Sequence, residues 1–230
     1  ELWRCHGLRV LVVPTHQPRR VAPPGLTLHR DSATLREVVV ERVAEEAAAG
    51  RPVLVGMDTV EAAAGISALL TQRAIPHAVL HARQDDHEAA VIAAAGRPGQ
   101  VTVATSLAGR GSDIALTAES VAAGGLHVVL CQLNASPRID RQFIGRAGRQ
   151  GQPGSAERHV AADGPLLRRW LPECLLHWLV RPGVPRALGA WAVSLAQQAE
   201  AYTQSQQRVT LMRWAQAQSL DLAFSREHPP

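Results

Sequence analysis

The chain has 230 residues, 46% of them apolar, and its formal net charge is +4. That is enough for one full domain with extra helix, or for two small domains, and the composition is that of a globular protein rather than a disordered one. All 24 basic residues are arginine, so a normal Walker A, which needs a lysine on the β/γ-phosphates, is excluded from these residues.

In chain order, Arg9-Val-Leu-Val-Val13 reads as a buried strand ended by Pro14, followed by a Pro- and Arg-rich loop to about residue 31. Thr34-Leu35-Arg36-Glu37 fits a capping box opening a helix that shows Val39, Val43 and Ala47 on its apolar face and stops at Gly50. Pro52–Gly56 is the next strand, and Thr59 caps a helix over 60–73. A short strand at 78–80, a helix over 86–95 and a strand over 100–105 follow. Leu126–Cys131 is another strand, a helix runs from Arg138 to Gly148, and 157–161 forms a last strand. Strands that alternate with helices and are apolar on both faces predict an α/β parallel sheet covered on both sides. Such sheets bind ligands beyond the carboxyl ends of their strands, which directs attention to the loops after Thr105 and Cys131.

From about residue 165 the texture becomes helical. Leu166, Leu167, Trp170, Leu171, Leu175 and Leu176 fall at helical spacing, Pro182 and Pro185 interrupt, and a long amphipathic helix spans 189–224 with a stripe of Val193, Ala196, Ala199 or Glu200, Val209, Met212 and Leu220. Trp170, Trp178, Trp191 and Trp214 are expected to pack between helices. The division is therefore a 1–165 domain followed by a 166–230 helical segment. No apolar run matches a membrane span, and Glu1-Leu2-Trp3-Arg4 is no signal peptide; a start without methionine suggests a piece of a longer chain. Cys5, Cys131 and Cys174 form no CxxC pair, which points away from zinc and disulfides and toward a reducing cytosol. His77, His81 and His87 lie near Asp85, Asp86 and Glu88, but a strand and a helix separate them, so no metal site is expected.

Two segments carry chemistry. In Ala104–Ile114 a strand ends in a turn with Gly109 and Gly111 on either side of Arg110, and small residues allow close approach while Arg110 and Asp113 project. The plain alternative is a tight turn with a surface Arg–Asp pair. In Arg138–Gly154, Arg146 and Arg149 are three apart and would share a helix face, with Gly145 and Gly148 keeping that surface flat. Two guanidiniums aimed one way need an anion between them, and a polyphosphate meets that need. A solvated basic turn is the alternative, and four glycines beside two aligned arginines weigh against it.

The segments Ala108–Ile114, Gly124-Gly-Leu-His-Val128 and Arg138–Gly151 resemble motifs V and VI of SecA, the preprotein translocase ATPase. The likeness extends to Val12–Thr15, Arg51–Gly56, Ile75–Leu80 and Pro165–Trp170, and more weakly the last helix resembles the start of SecA's helical scaffold. It implies a RecA-like domain of the P-loop NTPase type, the second of two, supplying arginines to ATP and Mg2+ held mainly by a Walker-type domain. Position by position it implies nucleotide contacts from Gly109, Arg110, Gly111, Asp113, Gln142, Arg146 and Arg149. Arg110, Arg146 and Arg149 stand as catalytic groups and Gln142 as a coupler to domain closure. The implied partners are an N-terminal Walker-type domain, unfolded preprotein, a membrane translocon and an anionic lipid surface. The implied location is cytoplasmic, peripheral on the inner face of the bacterial cell membrane.

The chain departs from the family at Gln132-Leu-Asn-Ala-Ser-Pro137, where SecA carries charged residues, which puts coupling to a standard translocon in question. A superfamily 2 nucleic-acid helicase domain is the first alternative. Phe143-Ile144 stand where DEAD-box domains carry His-Arg, and no aromatic-basic platform for bases is visible, so nucleic acid is not expected. A non-catalytic interaction module is the second. On the leading reading, the isolated chain has no measurable ATPase activity.

Overall fold

The computed structural model describes residues 7–14, 16–18, 20–80, 85–105 and 112–227, without the side chains of 85–87, 216, 217 and 219–227. Six strands, β1 (Gly25–His29), β2 (Val53–Met57), β3 (His77–Leu80), β4 (Val101–Thr105), β5 (Leu126–Leu130) and β6 (Gly154–Ala161), form one sheet in the order β1-β6-β5-β2-β4-β3. Every pairing is parallel. The expected α/β class is therefore the observed one. β2, β4 and β5 are buried at every residue because both faces are covered, which is why they read as unbroken apolar runs.

Helices α1 (Ser32–Ala48) and α2 (Val60–Gln72) cover one face. Leu35, Val39, Val40 and Val43 of α1 and Ala63, Ile66 and Leu70 of α2 interlock there with Val53, Val55, Val101, Val103 and Val129. The opposite face takes α3 (Asp85–Ala94) and α5 (Pro137–Ile144), through Val91 and Ile92 and through Phe143 and Ile144. The short α4 (Ala118–Ala122) lies between β4 and β5. Helices α6 (Pro165–Trp170), α7 (Glu173–Leu179) and α8 (Arg186–Glu227) continue the second face, packing Leu167, Leu176, Val193 and Ala196 on Val160, Leu26 and Leu28.

Several expectations are corrected. Residues 9–13 are not a buried strand: they lie outside regular structure with Leu11 88% and Val12 92% exposed, so in this chain the apolar run has no covering surface. The strand at this end of the sequence is β1, in what reads as a loop. α1 is capped by Asp31, whose Oδ1 accepts from the Thr34 N–H at 2.8 Å, so the capping residue lies three places before Thr34. Thr59 does cap α2. Trp178, Trp191 and Trp214 are 44%, 65% and 68% exposed, and only Trp170 is packed as expected, its indole N–H donating to Glu200 at 2.8 Å. On α8 the buried face is Ala192, Val193, Ala196, Gln197 and Glu200; Val209 and Met212 are half-buried, and the Leu220 side chain lies outside the described residues.

Candidate functional site

The site is built on α5 and the turn that follows it. Ser136 caps α5, its hydroxyl accepting from the Arg138 N–H at 3.3 Å, and Pro137 occupies the first helical position, where its missing N–H costs nothing. The helix ends at Ile144, six residues before the second arginine's neighbour Gln150, so Arg146 and Arg149 do not share a helix face as their spacing suggests. Gly148 turns the chain with φ +67°, and Arg149 opens a single 3-10 turn. Burial first, and then repulsion by Arg149, pull the Arg146 pKa below the ordinary arginine value.

Phe143 is the anchor that sequence reasoning missed. It is 2% exposed and lies over β2 at Gly56, where an added Cβ would overlap the ring. The Arg146 guanidinium lies 5.4 Å from the centroid of that same ring. Gly56, a glycine in mid-strand with no turn to justify it, was the available signal for a close approach.

Arg149 is held by its neighbours. Its Nε donates to the Gly145 carbonyl at 3.2 Å, and its Nη1 donates to Asp113 Oδ1 at 2.8 Å and to the Ser112 carbonyl at 3.2 Å. Nη2 has no hydrogen bond among the described residues. Gln150 Nε2 donates to Asp113 Oδ2 at 3.2 Å, so both carboxylate oxygens are engaged. The structure thus joins Asp113 of the loop after β4 to Arg149 of the turn after α5, while Arg146 lies over Phe143. Gln142 is exposed on α5. Gly109, Arg110 and Gly111 lie outside the described residues, so their expected convergence with the arginine pair is not described.

The glycines of the arginine turn serve a second purpose. A Cβ at Gly148 would overlap Val21 and one at Gly151 would overlap Gln17, because the segment leading into β1 lies across the turn. Close approach is needed here for chain packing as well as for any anion.

A cavity of about 170 Å3 opens at the carboxyl ends of β2, β5 and β6, lined by Arg36, Met57, Asp58, Gln132, Leu133 and Leu166 among others. It contains none of the expected site residues. His77 is held by Ser67 and the Ile75 carbonyl, and no His, Cys, Asp and Glu grouping among the described residues could hold a metal. Cys131 is buried with its thiol pKa pushed up by burial, so it is inert. No helix among the described residues is long and apolar enough to cross a membrane.

A parallel sheet with the arginine turn beside the amino ends of β5 and β6, rather than at the carboxyl ends where the sequence directed attention, is the context in which comparison with known proteins is informative. The chain is similar in fold to DEAD-box proteins. It matches the yeast splicing factor Prp28 with TM-score 0.55, at 17% identity over 74% of this chain and 35% of that one. It matches domain 2 of Mss116p with TM-score 0.52, at 15% identity over 67% of this chain and 60% of that one. At such identity these likenesses establish a RecA-like fold alone. In sequence it is 40% identical to protein translocase subunit SecA 2 of Magnetococcus marinus, over 83% of this chain and 28% of that protein. It is 36% identical to the SecA 2 of Chlorobium chlorochromatii over 93% and 33%, and 42% identical to the SecA of Flavobacterium psychrophilum over 73% and 15%. The chain thus spans a third or less of the length of these relatives. The SecA P-loop domain family matches at residues 27–122 and 117–186, which carries the resemblance read from motifs V and VI across the whole sheet: the chain belongs to the SecA family.

Proposed function

We propose that this chain is the arginine-supplying half of an ATP-driven protein-translocation motor. The observation that carries this reading is the 2.8 Å contact of Arg149 with Asp113, which seats the turn bearing Arg146 and Arg149 against the loop after β4. Two cations so placed are stabilised by an anion, and a polyphosphate offers several oxygens to both. Asp113 fixes Arg149 in that turn and is also read as a nucleotide contact, together with Gly109, Arg110, Gly111 and Gln142.

ATP and Mg2+ are the groups these residues would meet. This chain's part is electrostatic: it offers fixed positive charge where charge spreads over the transferred phosphoryl group. The attacking water, its base and the metal ligands belong to a Walker-type domain elsewhere in the protein, consistent with a chain that has no lysine. Residues 1–165 act as the motor domain and 166–230 as the helical segment that joins it to the rest of the machine. Unfolded preprotein, a translocon and the anionic inner face of the cell membrane are the partners and location this reading implies.

The test is ATP hydrolysis by this chain combined with the Walker-type half of its own protein. The chain alone should show no turnover. In the combination, Arg146→Gln and Arg149→Gln should each lower turnover on the order of a thousandfold, the usual worth of a trans-supplied arginine. Turnover by the 230 residues alone, or losses under tenfold in both variants, would remove the reading. Steeply salt-dependent RNA or DNA binding would favour a nucleic-acid helicase instead.

A further inference from the structure

A buried chain of side-chain amides ties the long helix α8 to the helix that carries the arginine turn. Asp140, in the first turn of α5, is 2% exposed. Its Oδ1 accepts from Asn134 Nδ2 at 2.7 Å and its Oδ2 accepts from Gln197 Nε2 at 2.7 Å. Arg158 Nη1 stands 3.7 Å from the same Oδ2. Gln197, 3% exposed on α8, spends the second proton of its amide nitrogen on the Asn134 carbonyl at 2.9 Å.

The direction of every bond follows from one group. Asp140 accepts at both oxygens, with Asn134 and Gln197 each presenting an NH2 end to it. The Asn134 carbonyl oxygen then faces Gln132, whose Nε2 donates to it at 2.8 Å. Gln132 is left with its own carbonyl oxygen buried, without a partner among the described residues, beside the cavity at the strand ends. No amide in this chain can flip without setting an oxygen against an oxygen.

The network fixes α5 at a second point. Phe143 fastens the carboxyl end of the helix to β2 through Gly56, with Ile144 and Ala147 buried in the same cluster. Asp140, three residues earlier, fastens the same helix to α8. The two attachments together set the rotation of α5, and Arg146 rides on the first of them, through the Phe143 ring. α8 runs 42 residues from Arg186 to Glu227, and beyond Glu200 it is largely exposed, with Leu211 and Trp214 each 68% accessible. It is a long lever whose inner end is hydrogen-bonded to the base of the arginine helix.

We infer that Gln197 is a positioning residue: it sets the rotation of α5, and with it the placement of Arg146, according to how α8 is docked. The inference rests on the nucleotide reading above for its meaning in turnover, but not for its geometry. A purely structural role and a positioning role diverge when both partners are removed. Replacing both ends of a buried polar contact with apolar groups of similar size can restore stability, while apolar contact is non-directional and does not restore a rotation.

The experiment compares Gln197→Leu with the double variant Asp140→Leu/Gln197→Leu by melting and by amide hydrogen exchange. Gln197→Leu leaves Asp140 short of a donor, and the melting temperature should fall by about 5 °C or more. Amides of 140–148 should exchange at least tenfold faster, while β2 and β4 hold. The double variant should melt no lower than Gln197→Leu, because it removes the carboxylate left short of a donor even as Asn134 Nδ2 loses its acceptor, and it should still show fast exchange at 145–148. Combined with the Walker-type half, it should show turnover reduced tenfold or more with KM for ATP unchanged. Recovery of exchange and turnover together with stability overturns the inference, as does unaltered exchange in Gln197→Leu. If Arg146→Gln has no effect on turnover, it is the nucleotide reading that has failed, and the exchange comparison still decides whether α8 sets the rotation of α5.

Discussion

Gly56→Ala is the sharpest probe of how the arginine turn is held. The strand backbone there is ordinary, so the substitution adds one methyl group and no torsional strain. That methyl would fall within 2.5 Å of Phe143 Cζ and 3.0 Å of Cδ1, against a ring that is 2% exposed and enclosed by Leu54, Leu130 and Ile144. β2 is central in the sheet and cannot withdraw, so the ring and α5 must move. Overpacking of this kind costs about 1–3 kcal/mol. For a chain of this size each kcal/mol lowers the melting temperature by ~2–4 °C, so a fall of about 2–12 °C is expected. Calorimetry on Gly56→Ala, Phe143→Leu and the double variant measures it. The smaller Leu leaves room for the methyl, so the double variant should be more stable than the sum of the singles by about 1 kcal/mol or more. Additive losses, or a Gly56→Ala melt within a degree of the parent, would show that Phe143 is not seated on Gly56.

Three further outcomes follow from the same geometry. Gly148→Ala should cost about 2 kcal/mol or more in urea unfolding, because φ is +67° and the new methyl meets Val21; Gly183→Ala, at φ +90° with nothing within 4 Å, should cost only the torsional part, about 1 kcal/mol. Arg149→Gln should leave the unfolding free energy within about 1 kcal/mol of the parent, since the Arg149–Asp113 pair is 40% and 49% exposed; a larger loss would give the pair a structural role. Acid should destabilise the fold well before its carboxylates titrate. Burial lowers the pKa of His29 and of His127 to about 4 from 6.5, so the unfolded chain binds these protons more tightly than the folded one. Stability is therefore full above pH ~6.5 and drains as pH falls toward 4, by on the order of 3 kcal/mol for each ring. Glu157, held down to about 2 chiefly by its hydrogen bond with His159, extends the loss below pH 4.5. Unfolding free energies that stay flat from pH 7.5 to 4.5 would contradict neutral buried rings.

Periodicity found the strands that are buried on both faces and mistook the two that depend on context. β2, β4 and β5 announce themselves because every residue must be apolar. β1 follows Pro23-Pro24 and reads Gly-Leu-Thr-Leu-His, a pattern with little contrast, and it becomes a strand by pairing with β6, about 130 residues away. Residues 9–13 carry the opposite error, since apolar sequence states a need for cover without supplying it. At the site, the three-residue spacing of Arg146 and Arg149 suggested a shared helix face, but α5 ends at Ile144, before either of them. The Asp113–Arg149 pair spans 36 residues and the Gly56–Phe143 seat spans more, and no local pattern encodes contacts of that range. The helical segment was legible in extent, but its tryptophans were assigned by residue type, and residue type does not say which side of a helix is covered.

The place of β1 has a consequence for how the protein is made. Among the described residues it is the outermost strand of the sheet, and its one neighbour there, β6, is completed at Ala161. A ribosome adding 5–20 residues per second reaches that point roughly 7–26 s after His29 is synthesised. For that interval Leu26 and Leu28 lie in an unpaired strand segment, the kind of nascent stretch that chaperones shield and that neighbouring chains on a polysome can capture.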